Sequence, residues 1–186
     1  MYKKNGLLVL FISIFLSVNA QSTLRERLKQ HVFTLASDSL QGREAGTEFA
    51  RMAADYVVAQ FTEIGIELFF ENSFLQQFGQ NNAQNSHSFQ NVIGIIRGND
   101  ADLANEFIVV GAHYDHLCAL NGNIYNDADD NASGVAMLIE LARMLKEYQR
   151  KLKRSVILVA FDAEEIGLLG STYFVNSSIV PLENIF

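Results

Sequence analysis

Two stretches of this chain, 107–112 and Ser155–Phe161, are almost unbroken runs of apolar residues, and a helical pattern over 132–148 lies between them. Such a run predicts a strand covered on both faces, because a half-exposed strand alternates apolar with polar residues. The intervening helix is apolar around most of its circumference and is expected to be buried. Strand, helix and strand in that order imply a parallel or mixed sheet. The expected fold class is therefore α/β: a mixed, largely parallel central sheet with helices on both faces.

The flanking segments fit this plan. Residues 23–36 read as a helix with Leu24, Leu28, Val32 and Leu35 on one face. A loop over 37–46 is punctuated by Gly42 and Gly46, and a second helix over 47–64 starts at Thr47 and ends at Gly65. Residues 69–78 and 89–96 read as strands on either side of a polar, Asn/Gln-rich loop at 79–88, and 168–175 reads as helical.

The first twenty residues stand apart. Lys3 and Lys4 form a basic start, 7–16 an apolar stretch, and Val18-Asn19-Ala20 a small-residue cleavage site before Gln21. This is the pattern of a signal peptide, too short in its apolar part to span a bilayer, so the protein is expected to be exported, periplasmic or extracellular. Residues 21–186 are then expected to be one domain with its own core. The formal net charge of −7 becomes −9 without the two lysines of that leader, which argues against nucleic acid or an anionic membrane as partner. Cys118 is the only cysteine, so no intrachain disulfide can form. Its place two residues after His116 admits a thiol-ligand reading, but a small half-buried apolar side chain is the simpler one.

Chemistry concentrates in three short clusters: His113-Tyr114-Asp115, Asp129-Asp130-Asn131 and Glu164-Glu165. Each lies where a predicted strand or loop gives way to the next element, the usual place for a site in α/β proteins. One imidazole among several carboxylates calls for cations, and divalent metals accept such N and O ligands. His113 and Asp115 are spaced to point the same way from an extended strand, so Asp115 can hydrogen-bond the imidazole nitrogen left free by a metal. A purely structural His–Asp pair would look the same. Asp130 precedes a helix and could simply cap it. A calcium loop beginning at Asp127 fails, because Ala132 stands where a glycine is needed and Leu138 where the closing glutamate belongs. Glu164 and Glu165 follow a buried strand and point to opposite sides, so one can hold metal while the other faces a substrate water. HExxH, GxSxG and phosphate-loop patterns are all absent.

In order, Gly111-Ala-His113-Tyr-Asp115-His, Asp127-Ala-Asp129-Asp130-Asn131-Ala-Ser-Gly134 and Ala163-Glu164-Glu165-Ile-Gly167-Leu-Leu-Gly170-Ser resemble the secreted bacterial di-zinc aminopeptidases, whose wider group includes the glutaminyl cyclases and the transferrin-receptor ectodomain. Leu35-Ala-Ser-Asp-Ser-Leu-Gln-Gly-Arg43 is similar to the helix-to-loop entry of the bacterial members. The resemblance implies a metallo-aminopeptidase that hydrolyses N-terminal residues from peptide substrates with two Zn2+ ions per complete site. It makes His113 a ligand of one zinc, Asp115 its supporting partner, Asp130 the bridge, Glu165 a ligand of the other zinc, and Glu164 the general base. The family pattern continues with an Asp and a His beyond Phe186, so 21–186 is expected to be the N-terminal part of a catalytic domain and inactive by itself. A non-catalytic binding ectodomain and a mono-zinc glutaminyl cyclase are the alternative readings.

Overall fold

The computed structural model describes residues 22–82 and 85–186; the expected signal peptide lies outside the described residues. Helix α1, Leu24–Leu35, begins with a capping box in which Thr23 accepts from the Glu26 amide and the Glu26 carboxylate accepts from the Thr23 amide. Helix α2, Glu48–Ile64, is capped by Thr47 and ended by Gly65 in the left-handed region, as its sequence predicts. It buries Ala50, Ala53, Ala54, Val57 and Phe61, three and four residues apart on one face. Strands β1 (Glu67–Leu68), β2 (Leu75–Asn82), β3 (Asn85–Ile96) and β4 (Phe107–His113) follow. A small hairpin, β5 (Ala119–Leu120) and β6 (Asn123–Ile124), precedes α3 (Ser133–Glu147), β7 (Ser155–Phe161) and α4 (Leu169–Asn176).

Strand β7 is the centre of the sheet. It pairs antiparallel with β3 and parallel with β4, while β1 and β2 pair antiparallel with the other side of β3. The sheet is mixed, as expected, but among the described strands only β4–β7 is parallel. Strands β2 and β3 extend into the segment expected as a polar loop, pairing Gly79 with Ser88 and Asn82 with Asn85. Main-chain pairing does not need apolar side chains, so polarity alone misplaced those strand ends.

Helices α1, α2 and α3 cover one face, with Phe61, Val57, Val135 and Ile139 packed on Val92, Ile96, Val156 and Leu158. Phe174 of α4 and Val180 cover the other face against Ile93, Ile95, Ile157 and Val159. The two apolar runs part company here. Strand β7 is buried from Ser155 to Ala160, whereas Ile108 of β4 is 40% exposed. The expectation that β4 is buried on both faces holds only in part: Val110 and Ala112 pack on one core cluster and Phe107 and Val109 on the other, but beyond β7 the strand's outer edge meets, among the described residues, only Ile185 at Phe107. Nor is α3 buried all round, since Met137 and Met144 are exposed. Among the described residues no helix is long and apolar enough to cross a membrane.

Candidate metal centre

The parallel register sets the site. His113 lies opposite Phe161, so β4 and β7 end at the same level, and the Tyr114 amide continues the ladder to the Phe161 carbonyl at 2.9 Å. The residues leaving both strands therefore share one rim at the strands' carboxyl ends, where open α/β sheets place ligands. The loop before α3 supplies the third side. Asn131 caps that helix, its Oδ1 accepting from the Gly134 amide at 3.0 Å. A Cβ at 134 would come within 2.2 Å of that same oxygen, so any larger residue there would have to displace the Asn131 cap.

One imidazole nitrogen or carboxylate oxygen from each of His113, Asp130 and Glu165 falls within 4.8 Å of the other two. His113 Nε2 is 3.1 Å from Asp130 Oδ1, while its Nδ1 donates to the Asp115 main-chain oxygen at 3.1 Å. That bond holds the ring so that Nε2 faces the carboxylates. One imidazole nitrogen and two carboxylate oxygens converging from three segments are donors that zinc accepts, and the residues present fit that ion.

Asp115 is behind His113 as expected, but its carboxylate does something else. Its nearest oxygen is 3.9 Å from Nδ1, too far for a hydrogen bond. It accepts instead from the main-chain amides of Glu164 and Glu165, at 3.0 and 3.3 Å. Asp115 thus ties the end of β4 to the turn after β7. Burial pushes its carboxyl up to about 6, against the pull of those two amides. The adjacent glutamates diverge as their spacing predicts: Glu165 joins the donor cluster, and Glu164 lines a cavity of about 220 Å³ with His113, Asn131, Phe161 and Leu168.

Sequence reasoning gave three further residues no role at this centre. His116 is buried; its Nδ1 donates to Glu165 Oε1 at 2.6 Å, and its Nε2 lies 2.9 Å from Asp127 Oδ2 but too far off line to be hydrogen-bonded. The His-x-x-His spacing of 113 and 116 was the available signal. Asp127 also accepts, weakly, from the Asp130 amide at 3.4 Å. Asp162, buried just after β7, accepts from the amides of Gln90 and Ala163 and shapes the turn that carries the glutamates.

Residues 91–186, just over half of the chain, match peptidase family M28, and the chain belongs to that family. It is 38% identical over 98 residues to a glutamate carboxypeptidase 2 homolog of Caenorhabditis elegans, across 50% of this chain and 12% of that one. It is 37% identical over 87 residues to aminopeptidase YwaD of Bacillus subtilis, across 47% of this chain and 17% of that one. The chain thus spans a small part of the length of these curated relatives. Among solved structures, a zinc aminopeptidase from Bacillus subtilis superposes with a TM-score of 0.68 at 15% identity, over 86% of this chain and 67% of that one. A Fimbriiglobus ruber glutaminyl cyclase gives 0.65 at 21% identity, over 82% and 54%. At these identities the superpositions establish the mixed α/β fold.

Proposed function

We propose that this chain carries a zinc centre of an exopeptidase that removes N-terminal residues from peptides. The observation that supports it most is the meeting of His113, Asp130 and Glu165 within 4.8 Å at the rim of a peptidase-family fold. His113 and Glu165 would each hold one ion, and Asp130 would hold both. Bound there, zinc supplies a Lewis acid for the scissile carbonyl and lowers the pKa of a water.

Glu164 accepts the proton of the attacking water and returns it to the leaving amine. Its position supports that role, because it faces the cavity beside His113 while its main chain is held by Asp115. Phe161 and Leu168 line the same cavity and give it an apolar side. The acidic rim suits the α-ammonium of a peptide substrate, and the leader at 1–20 would export the enzyme to where such peptides are met.

Metal analysis with hydrolysis of an amino-acid anilide panel by the full-length enzyme tests this reading. Two zinc ions per chain with anilide turnover is the expected result. One zinc with cyclisation of N-terminal glutamine would favour a glutaminyl cyclase, and neither metal nor turnover would favour a binding ectodomain.

A further inference from the structure

Arg43 is the largest fully buried side chain described, only 1% exposed, and among the described residues it forms no ion pair, although Asp115, Asp127 and Asp130 act on it from farther off. Its guanidinium instead donates to four main-chain carbonyls: Tyr114 at 2.9 Å, Leu35 at 2.6 Å, Asn126 at 2.7 Å and Asp127 at 3.3 Å. Tyr114 stands between His113 and Asp115. Asn126 and Asp127 begin the loop that carries Asp130. One rigid fork therefore spans the two segments that bring His113 and Asp130 together, and anchors both to the end of α1.

The main chain around Arg43 is built for this reach. Gln41, Gly42 and Arg43 have φ of 43°, 79° and 61°, three successive left-handed residues that only a tightly constrained turn retains. A Cβ at Gly42 would come within 2.0 Å of the Leu117 carbonyl oxygen and 2.7 Å of that of Tyr125, so the turn is threaded between the same two segments. The Arg43 carbonyl accepts from the His116 amide at 3.2 Å, and Asn126 Nδ2 donates to Asp38 Oδ1 at 2.6 Å. A lysine cannot replace this arrangement. Its single ammonium lacks the planar fork that reaches carbonyls on three segments at once.

We propose that the Gly42–Arg43 turn is the positioning element of the metal centre: Arg43 sets the separation of the His113 and Asp130 loops, and Gly42 lets it thread between them. This rests on the metal reading above for its link to zinc, but the coupling of the two loops stands independently.

The test uses the full chain with Arg43→Lys, Arg43→Met and Gly42→Ala, and with Val57→Ala as a control that loosens the core of α2 without touching either loop. Zinc affinity is read by chelator competition, site geometry by the visible spectrum of the cobalt form, and loop coupling by amide hydrogen exchange over 114–118 and 125–131. Expected are a roughly ten-fold or greater loss of zinc affinity, the scale on which groups that orient ligands act, a changed cobalt spectrum, and faster exchange in both loops together. Val57→Ala should lower the melting temperature and leave zinc affinity alone. Parental affinity in Arg43→Lys, an equal loss in Val57→Ala, or faster exchange in just one loop would each overturn the proposal. If an Arg43 variant does not fold, Gly42→Ala carries the same measurements. A parent that binds no zinc would remove the metal reading, and the exchange data would still decide whether the turn couples the loops.

Discussion

Two imidazole–carboxylate clusters stand among the described residues, and they are built on opposite plans. In the helix layer, Glu140 of α3 receives Arg27 Nε and Nη2 at 2.8 and 2.7 Å, His31 Nε2 at 3.2 Å and Arg143 Nε at 3.4 Å. His31 Nδ1 completes its bonding with the Tyr56 hydroxyl at 2.7 Å. One carboxylate is met by several donors, and the His31 and Glu140 side chains are 4% and 3% exposed. At the sheet rim, carboxylates outnumber imidazoles: His113 and His116 face Asp127, Asp130 and Glu165, and Asp130 is 60% exposed. The lesson is that an imidazole beside a carboxylate says little by itself. A cluster with its charge neutralised and its bonds filled holds helices together. A cluster with surplus negative oxygen, open to substrate, is suited to hold a cation.

If that contrast is right, substitutions in the two clusters will fail in different ways. The largest effect should come from Glu164→Gln in the full-length enzyme, with kcat lower by about 10²–10⁴-fold and zinc content unchanged. Parental turnover in that variant would take Glu164 out of the chemistry. Next, His113→Ala and Glu165→Gln should each weaken zinc binding by more than the roughly 10–100-fold that loss of an orienting hydrogen bond costs. Chelator competition would show it, with little change in the metal-free unfolding free energy. The reverse pattern, unfolding without loss of zinc, would make the rim cluster structural.

Glu140→Ala should do the opposite. It strips the partner from Arg27 and His31 in a buried setting, which costs about 3 kcal/mol of stability, measured by denaturant unfolding, and it leaves zinc affinity as it was. Replacing Arg27, His31 and Glu140 together by apolar residues should cost less than the single change, since Arg27 is no longer stranded and Arg143 keeps Glu63 at 3.5 Å.

Much of this was legible beforehand. The apolar runs fixed β7 and most of β4, Thr47 and Gly65 marked both ends of α2, and the places of His113 and Glu165 at the ends of buried strands and of Asp130 before α3 pointed to convergence on the carboxyl side of the sheet. What stayed hidden were partners rather than residue types. The apolar run of β4 reads like that of β7, yet how deeply a strand is covered depends on what lies beside it. Asp115 was visible as a partner for His113, but the amides of Glu164 and Glu165 come from nearly fifty residues away and claim its carboxylate. Arg43 looked like one basic residue in a loop. Nothing in its neighbours announces that it would bond four carbonyls on three segments.

The smallest effect concerns pH, and it separates the clusters by sign. Burial holds the His31 imidazole below its ordinary value, against the pull of Glu140, so in the folded protein it stays neutral where an unfolded histidine takes up a proton. Near and below the unfolded value of about 6.5 the unfolded chain therefore binds more protons, and stability falls with acidification. The contribution is complete above that value and is lost as pH drops through it toward the folded one. Asp115 acts in the other direction, because its raised carboxyl takes up a proton in the folded state first. The parent's total slope mixes the two, but a comparison with His31→Gln isolates the first. Unfolding free energies of the metal-free parent and variant, measured from pH 7.5 to 5.5, should draw together as the pH falls, because glutamine carries no proton to exchange. A gap that widens on acidification would mean that His31 is charged in the folded state, and that the helix cluster is held by an imidazolium–carboxylate pair instead of a neutral ring.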